Sequence, residues 1–285
     1  MTEAMPGCSK IDNMFSGYLN FTEDKSHHYV YIESAGNPDT DPLLFWFNGG
    51  PGCSSMIGFI QEHGPCVFLN DEDKFTQDNP YSWHHQANIV YMESPTGVGY
   101  NPRAGRMRFD DNSTSYDNLQ AVVKFFELFP ELKEKDLYLT GESYAGIYIP
   151  YLAYRIFEHN DAGNEKINLK GMAIGNGVTN WDYDCDPALW DMAYAHGLIP
   201  VELHRQYQDS DCDFGDFGGP QSDFCKGLAK KLRTNMKNIF PYDLLRPTEE
   251  SYNNLSEAEL VSDEPHVGQY SVSKTFAEMD RVRKP

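Results

Sequence analysis

The chain is short of positive charge. It sets 23 Lys+Arg against 43 Asp+Glu, for a formal net charge of −20. Its cations form no stripe, so a polyanionic nucleic acid is repelled rather than held. The six cysteines (Cys8, Cys53, Cys66, Cys185, Cys212 and Cys225) include no C-x-x-C pair and no metal-ligand spacing, so no metal centre is expected. Long apolar runs are missing as well. Leu43 to Phe47 is typical of what occurs, far below the roughly 20 residues that span a bilayer as a helix. No internal repeat is visible. The start, Met1-Thr2-Glu3-Ala4-Met5-Pro6, has neither a basic nor an apolar leader region, so a leader is expected to have been removed or the sequence to start late. What the chain does have is apolar content, 40% hydrophobic and 14% aromatic over 285 residues. That is enough to bury a full core and to offset the entropy of ordering.

Three N-x-[ST] sequons occur, at Asn20, Asn112 and Asn254, each a candidate glycosylation site. Together with an even cysteine count and the acidity, they favour a lysosomal, vacuolar or secreted location. Cys212 and Cys225 are close enough in sequence to close a local loop, and they are the one disulfide read from the sequence. Cys8 and Cys66 have no evident partner.

The organisation is that of an α/β protein. Residues 15–32 hold two β-rich runs, FSGYLNF and HHYVYIE, separated by the polar TEDKS, which reads as a hairpin. Leu43 to Phe47 reads as a buried strand that runs into Asn48-Gly49-Gly50-Pro51-Gly52. Asn88 to Met92 is a further strand, followed by the turn at 94–97. Ser115 to Phe129 carries apolar residues at helical spacing until Pro130 stops it. Leu137 to Thr140 reads as a strand, Tyr144 to Phe157 as a helix, and Leu169 to Ile174 as a strand. Strands alternating with helices predict a largely parallel sheet. After about residue 180 the character changes to helix and loop rich in Asp and Gly. The expected organisation is a core over 1–180, a helical insertion or cap over 181–245, and a polar linker or tail over 246–285.

The chemistry concentrates in two segments. Thr140-Gly141-Glu142-Ser143-Tyr144-Ala145-Gly146 lies between an expected strand and helix, where a nucleophile elbow belongs. Such a turn exposes Ser143 and needs small neighbours, here Gly141 and Ala145. The fifth position of G-x-S-x-G is Ala rather than Gly. An oxyanion then needs two backbone N–H donors, one from the residue after the nucleophile, Tyr144, and one from the loop after an earlier strand. The glycine-rich 48–52 loop is the candidate. Taken alone, Ser143 also reads as a helix cap and the loop as a Gly-Pro turn.

Taken with WFNGGPGCSS, ESPTGVGY and TGESYAGIYIP, and with SGYL, NPYSW, AIGNGVTN and AHGLIP in order along nearly the whole chain, the sequence resembles the serine carboxypeptidase family, nearest its lysosomal branch. The resemblance implies an α/β-hydrolase fold with a helical insertion. It implies Ser143 as nucleophile, with Gly50 and Tyr144 donating to the oxyanion. Asn48, Gly49, Glu142 and Glu62 would hold the free C-terminal carboxylate of a peptide, which makes the activity an exopeptidase one. Two adjacent glutamates do not both ionise cheaply. One stays protonated into mildly acidic pH, and a protonated Glu142 would donate to the substrate carboxylate, so an acidic optimum follows. Neither a metal nor an organic cofactor is implied.

The pattern breaks after the insertion. The family places its catalytic Asp and His late, with a glycine-rich phrase before the histidine, and no such phrase occurs here. The histidines after Ser143 are His159, His196, His204 and His266. A helix carries His159 about 24 Å from the elbow, His196 and His204 fall in the insertion, and His266 has no strand context. The expectation is a chain that stops early and lacks the last sheet strands. It would be either a fragment or the large chain of a two-chain enzyme whose C-terminal chain supplies Asp and His. Cys53 fits that reading, since its family counterpart pairs far downstream. The alternatives are an acyltransferase using the same elbow, or a non-catalytic protective subunit.

Overall fold

The computed structural model describes residues 8–9, 11–67, 77–102, 110–214, 222–237 and 239–245. It divides into two compact units, the first running through Gly177 and the second starting at Val178.

The first unit is built on a six-stranded sheet. β1 (Met14–Asn20) and β2 (Ser26–Ile32) form the expected hairpin, antiparallel with Gly17 opposite Tyr29. β3 (Leu43–Phe47) is the apolar run that ends at the glycine-rich loop. A two-stranded ladder pairs β4 (Cys66–Val67) with β5 (Gln77–Asp78). β6 (Asn88–Met92), β7 (Leu137–Glu142) and β8 (Leu169–Gly175) complete the set. The order is β1-β2-β6-β3-β7-β8, and β6, β3, β7 and β8 run parallel. β3 and β6 are therefore central, which is why both read as continuous apolar runs rather than alternating ones.

Successive side chains leave opposite faces of the sheet, and the core divides accordingly. Tyr29, Tyr31, Phe45, Phe47 and Val90 belong to one cluster, and Val30, Ile32, Trp46, Ile89 and Tyr91 to the other. The first face is covered by α1 (Asp111–Leu128) and α2 (Ala145–Asp161). The helical spacing in α1 puts Val122, Phe125 and Phe126 on the sheet, with Phe125 meeting Phe45 and Tyr31 edge-on at ring separations of 5.1 and 5.6 Å. Burying such a ring stabilises by about 1.5–3 kcal/mol. α1 starts four residues before the expected Ser115, because Asp110 accepts from the Ser113 N–H while Ser113 Oγ takes the Asp110 N–H, a capping box that precedes the first apolar residue. On the other face Met56, Phe59 and Ile60 pack on Trp46 and Tyr91.

The second unit, described over 178–214, 222–237 and 239–245, contains α3 (Asp186–Ala195), α4 (Val201–Gln208) and α5 (Asp223–Asn235). Its core is one small cluster around Trp190, Ile199, Leu203, Leu228 and Leu232. A disulfide joins Cys212 to Cys225, with Cα atoms 5.6 Å apart. Among the described residues no helix is long and apolar enough to cross a membrane. Residues 246–285, including Asn254 and His266, lie outside the described residues.

One cysteine expectation is corrected. Cys8 and Cys66, read as having no evident partner, form a disulfide with Cα atoms 6.2 Å apart. The pairing arises from tertiary contact: β5 lies beside β4, and Asp78 of β5 accepts from the Ser9 N–H at 2.7 Å, which lays the N-terminal segment beside Cys66. Sequence spacing alone carries no such signal.

Candidate active site

β7 ends at Glu142 and α2 begins at Ala145, so Ser143 sits in a two-residue turn between them. Its φ is 56°, the left-handed region that a side chain enters only where surrounding structure enforces it. Two bonds enforce it here. Ser143 N donates to Gly175 O at the end of β8 (3.1 Å), and Gly146 N returns to Ser143 O (2.9 Å). The requirement for small neighbours is also visible, since a methyl on Gly141 would strike Phe47 O and lie 2.8 Å from Ala145 Cβ. Ser143 is thereby held half-exposed at the C-terminal edge of the sheet, beside the N-terminus of α2.

β3 is the neighbour of β7 in the sheet, so the loop after β3 arrives at the same edge. Contact is close. A methyl on Gly49 would collide with Tyr144 N, 2.8 Å from Glu142 O and 2.9 Å from Ser143 Cβ. The loop is fixed by Cys53 N donating to Gly49 O (3.0 Å) and by Gly52 N donating to the Tyr148 hydroxyl (3.2 Å). Gly50 is exposed at the loop's crest. Tyr148 stands one turn of α2 beyond Tyr144, packs edge-on against it at 5.2 Å, and is a loop anchor that sequence reading did not single out. Its position four residues after Tyr144 on one helix face was the available signal.

Asn48 is 2% exposed and joins the carboxyls. Its Nδ2 donates to Glu142 Oε1 (2.9 Å) and Glu62 Oε1 (3.2 Å). Its Oδ1 accepts from Trp46 Nε1 (2.8 Å) and Gly58 N (3.0 Å), which sets the orientation of the amide. Glu62 ends a single wide helical turn, Gly58–Glu62. Burial, with the charge of Glu142 next, pushes the Glu62 carboxyl up to about 7. Cys53 is a free, half-buried thiol beside Gly50, its pKa raised by burial and then by Glu142.

Three segments distant in sequence thus meet at one edge: Asn48–Gly50, Glu62 and Glu142–Tyr144. No base is part of the set. Among the described residues none hydrogen-bonds Ser143 Oγ. His159 Nε2 bonds Glu165 O (3.0 Å) on the exposed end of α2, and His196 Nδ1 bonds Met192 O (2.9 Å). His204 pairs with Asp191 at 2.8 Å and stacks on Tyr194 within the second unit. Of the sequons, Asn20 is exposed at the end of β1, and Asn112 is exposed with its Oδ1 held by Arg155.

A family model described as serine carboxypeptidase matches residues 6–285. Mouse lysosomal protective protein is 40% identical over 228 residues, covering 77% of this chain and 46% of that protein. Serine carboxypeptidase-like 21 of Arabidopsis thaliana is 36% identical over 245 residues, covering 82% and 49%. Among solved structures, Kex1Δp, a prohormone-processing carboxypeptidase from Saccharomyces cerevisiae, superposes with a TM-score of 0.62 at 25% identity, over 81% of this chain and 56% of that one. The chain spans about half the length of the curated relatives it matches. The sheet order, the strand–elbow–helix step and the likeness to the yeast structure make this an α/β-hydrolase fold.

Proposed function

Because the chain belongs to the serine carboxypeptidase family, we propose that its site releases C-terminal residues from peptides through an acyl-enzyme on Ser143. The observation that supports this most directly is the bridge from Asn48 to both Glu62 and Glu142, one residue from the elbow serine. A carboxyl pair sharing a proton donates a hydrogen bond to an incoming carboxylate, whereas a fully ionised pair repels it. Gly49 lets the loop lie close to this anchor. With the terminal carboxylate held there, the scissile carbonyl lies over Ser143 Oγ. Attack forms the C–O bond, and the N–H groups of Gly50 and Tyr144 receive the charge that develops on oxygen. Collapse breaks the C–N bond and expels the terminal residue as an amine, and water then hydrolyses the ester.

Each step needs a base to take and return the Ser143 proton. The proposal assigns that role to a histidine, oriented by an aspartate, on polypeptide outside these 285 residues. The substrate class is a peptide with a free C-terminus. The compartment is lysosomal, vacuolar or secretory, which agrees with two disulfides and with exposed Asn20 and Asn112.

Fluorophosphonate labelling of the folded chain, with peptide mapping, tests the assignment. Rapid stoichiometric labelling of Ser143 would place the base inside the chain and overturn the external histidine. A folded but unlabelled chain that becomes labelled and hydrolytic when joined to the remaining polypeptide is the expected result. In that active form KM should rise more than kcat falls as pH increases through about 7, following the raised carboxyl of the pair. A KM flat from about pH 4.5 to 7.5 would exclude the shared-proton anchor. The name of the mouse relative favours a second reading, a protective subunit. Under it Ser143→Ala would keep partner binding, and no form of the wild type would hydrolyse peptides.

A further inference from the structure

One buried carboxyl takes no part in the chemistry above. Glu93 follows β6 directly and is 0% exposed. No lysine, arginine or histidine is ion-paired with it among the described residues. Burial raises its pKa to about 7, against hydrogen bonds from Ser54, Tyr100 and Ser55 that pull it down. Ser54 Oγ (2.7 Å) and Tyr100 N (3.3 Å) donate to Oε1, and Ser55 N (3.0 Å) donates to Oε2. A carboxyl desolvated without a counter-charge is unfavourable by itself, so its place depends on what those donors hold.

They hold the loop. Ser54 and Ser55 come immediately after the 48–53 segment. Ser55 Oγ accepts from Asn48 N (3.2 Å), which joins the two ends of the loop. Ser54 accepts from Met56 N at its hydroxyl (3.2 Å) and from Ile57 N at its carbonyl (3.1 Å), opening the turn that finishes at Glu62. A single carboxylate thus ties the exit of the Gly50 loop to the entry of the Glu62 segment, with Asn48 bonded to both.

We propose that Glu93 is a positioning residue. It touches neither substrate nor Ser143, and it sets the conformation of residues 48–57 so that the Asn48 amide and the Gly50 N–H face the bound peptide. The functional consequence rests on the carboxypeptidase reading, and the structural one rests on the hydrogen bonds alone.

Two variants in the full 285-residue chain test it, with two readouts. Glu93→Gln keeps the shape but turns an NH2 toward groups that are themselves donors. Ser55→Ala leaves Glu93 in place and removes only the bond to Asn48 N. Backbone amide exchange over 48–57, followed by mass spectrometry, needs no activity. Both variants should exchange there about tenfold faster than wild type, with β7 and α2 unchanged. Calorimetry with acetyl-phenylalanine and with its amide reads the anchor. Wild type should prefer the carboxylate, and both variants should lose about tenfold for it while binding the amide as before. Unchanged exchange over 48–57 in either variant would overturn the proposal. So would faster exchange with the carboxylate preference intact. A wild type that does not distinguish acid from amide would remove the carboxypeptidase reading, and amide exchange would still decide the role of Glu93. If Glu93→Gln does not fold, Ser55→Ala still tests the Ser55–Asn48 link through which Glu93 is proposed to act, and unchanged exchange there overturns the proposal.

Discussion

The two units bury different things. In the described residues before Val178 the interior contains Asn48, Ser54, Ser55, His63, Glu93, Asn101, Asp117 and Asn118 besides its apolar clusters, whereas after it the one buried polar side chain is His204. A buried polar group is unfavourable unless it is hydrogen-bonded, and in the first unit most of these atoms are bonded, many of them into loops that follow the parallel strands, while His63 Nε2 and Asn118 Nδ2 have no partner among the described residues. The second unit has an almost purely apolar centre under three short helices, cross-linked by Cys212–Cys225. The contrast reflects where each region's shape comes from. One is held by pairings between residues tens of positions apart and spends stability on a polar constellation, and the other is held by local helices and one covalent loop.

The comparison breaks most sharply at Ser143. Ser143→Ala should lower peptide hydrolysis of the active form by at least about 10^4-fold and leave the melting of both units unchanged, as calorimetry and steady-state assays would record. A matching loss of stability would mean the serine is structural. Next in size, Phe125→Ala should destabilise the sheet unit by about 3–5 kcal/mol, because the ring contacts Tyr31 and Phe45 and cannot be replaced by local collapse. Denaturant unfolding measures this, and a cost below about 1 kcal/mol would contradict the packing. Replacing Cys212 and Cys225 by serine should cost about 3 kcal/mol, read as faster amide exchange in α3, α4 and α5 with β3, β6 and β7 unaffected. Equal loss in both units would show that they unfold as one.

The smallest effect concerns pH. Glu62 and Glu93 both have folded pKa values raised to about 7. Between the ordinary glutamate value, about 4.3, and about 7, the folded state therefore binds more protons than the unfolded one. Their contribution to stability is largest below about pH 4.3 and declines as pH rises through 7. Glu62→Gln should flatten that decline in thermal melts from about pH 5 to 8. An unaltered slope would mean that the Glu62 carboxyl is not the group responsible.

The strands and helices of the first unit were legible because each carries its own period. The apolar runs of β3 and β6 and the 3.6-residue spacing of α1 appear in the sequence wherever a core demands them. The elbow was legible for a related reason: its conformation needs particular small residues, and Gly141 and Ala145 are small. The α1 start was misplaced by four residues because Asp110 and Ser113 act through a cap rather than through apolar spacing. Glu93, Tyr148 and the Cys8–Cys66 pairing were not legible. Each acts on a partner that is near only after the sheet has formed.

Residue types along the chain already specify an acidic α/β protein, the serine in its turn, and the family to which the phrases around it belong. They do so because local conformation and close backbone approach restrict residue type at single positions. Folding in three dimensions is what joins Asn48, Glu62 and Glu142 in one hydrogen-bonded set, buries the Glu62 carboxyl, and lets Glu93 tie the loop beneath them. Those outcomes depend on strand order, since β3 lies between β6 and β7, and on burial, which changes the energy of a charge in ways that spacing along a chain does not record.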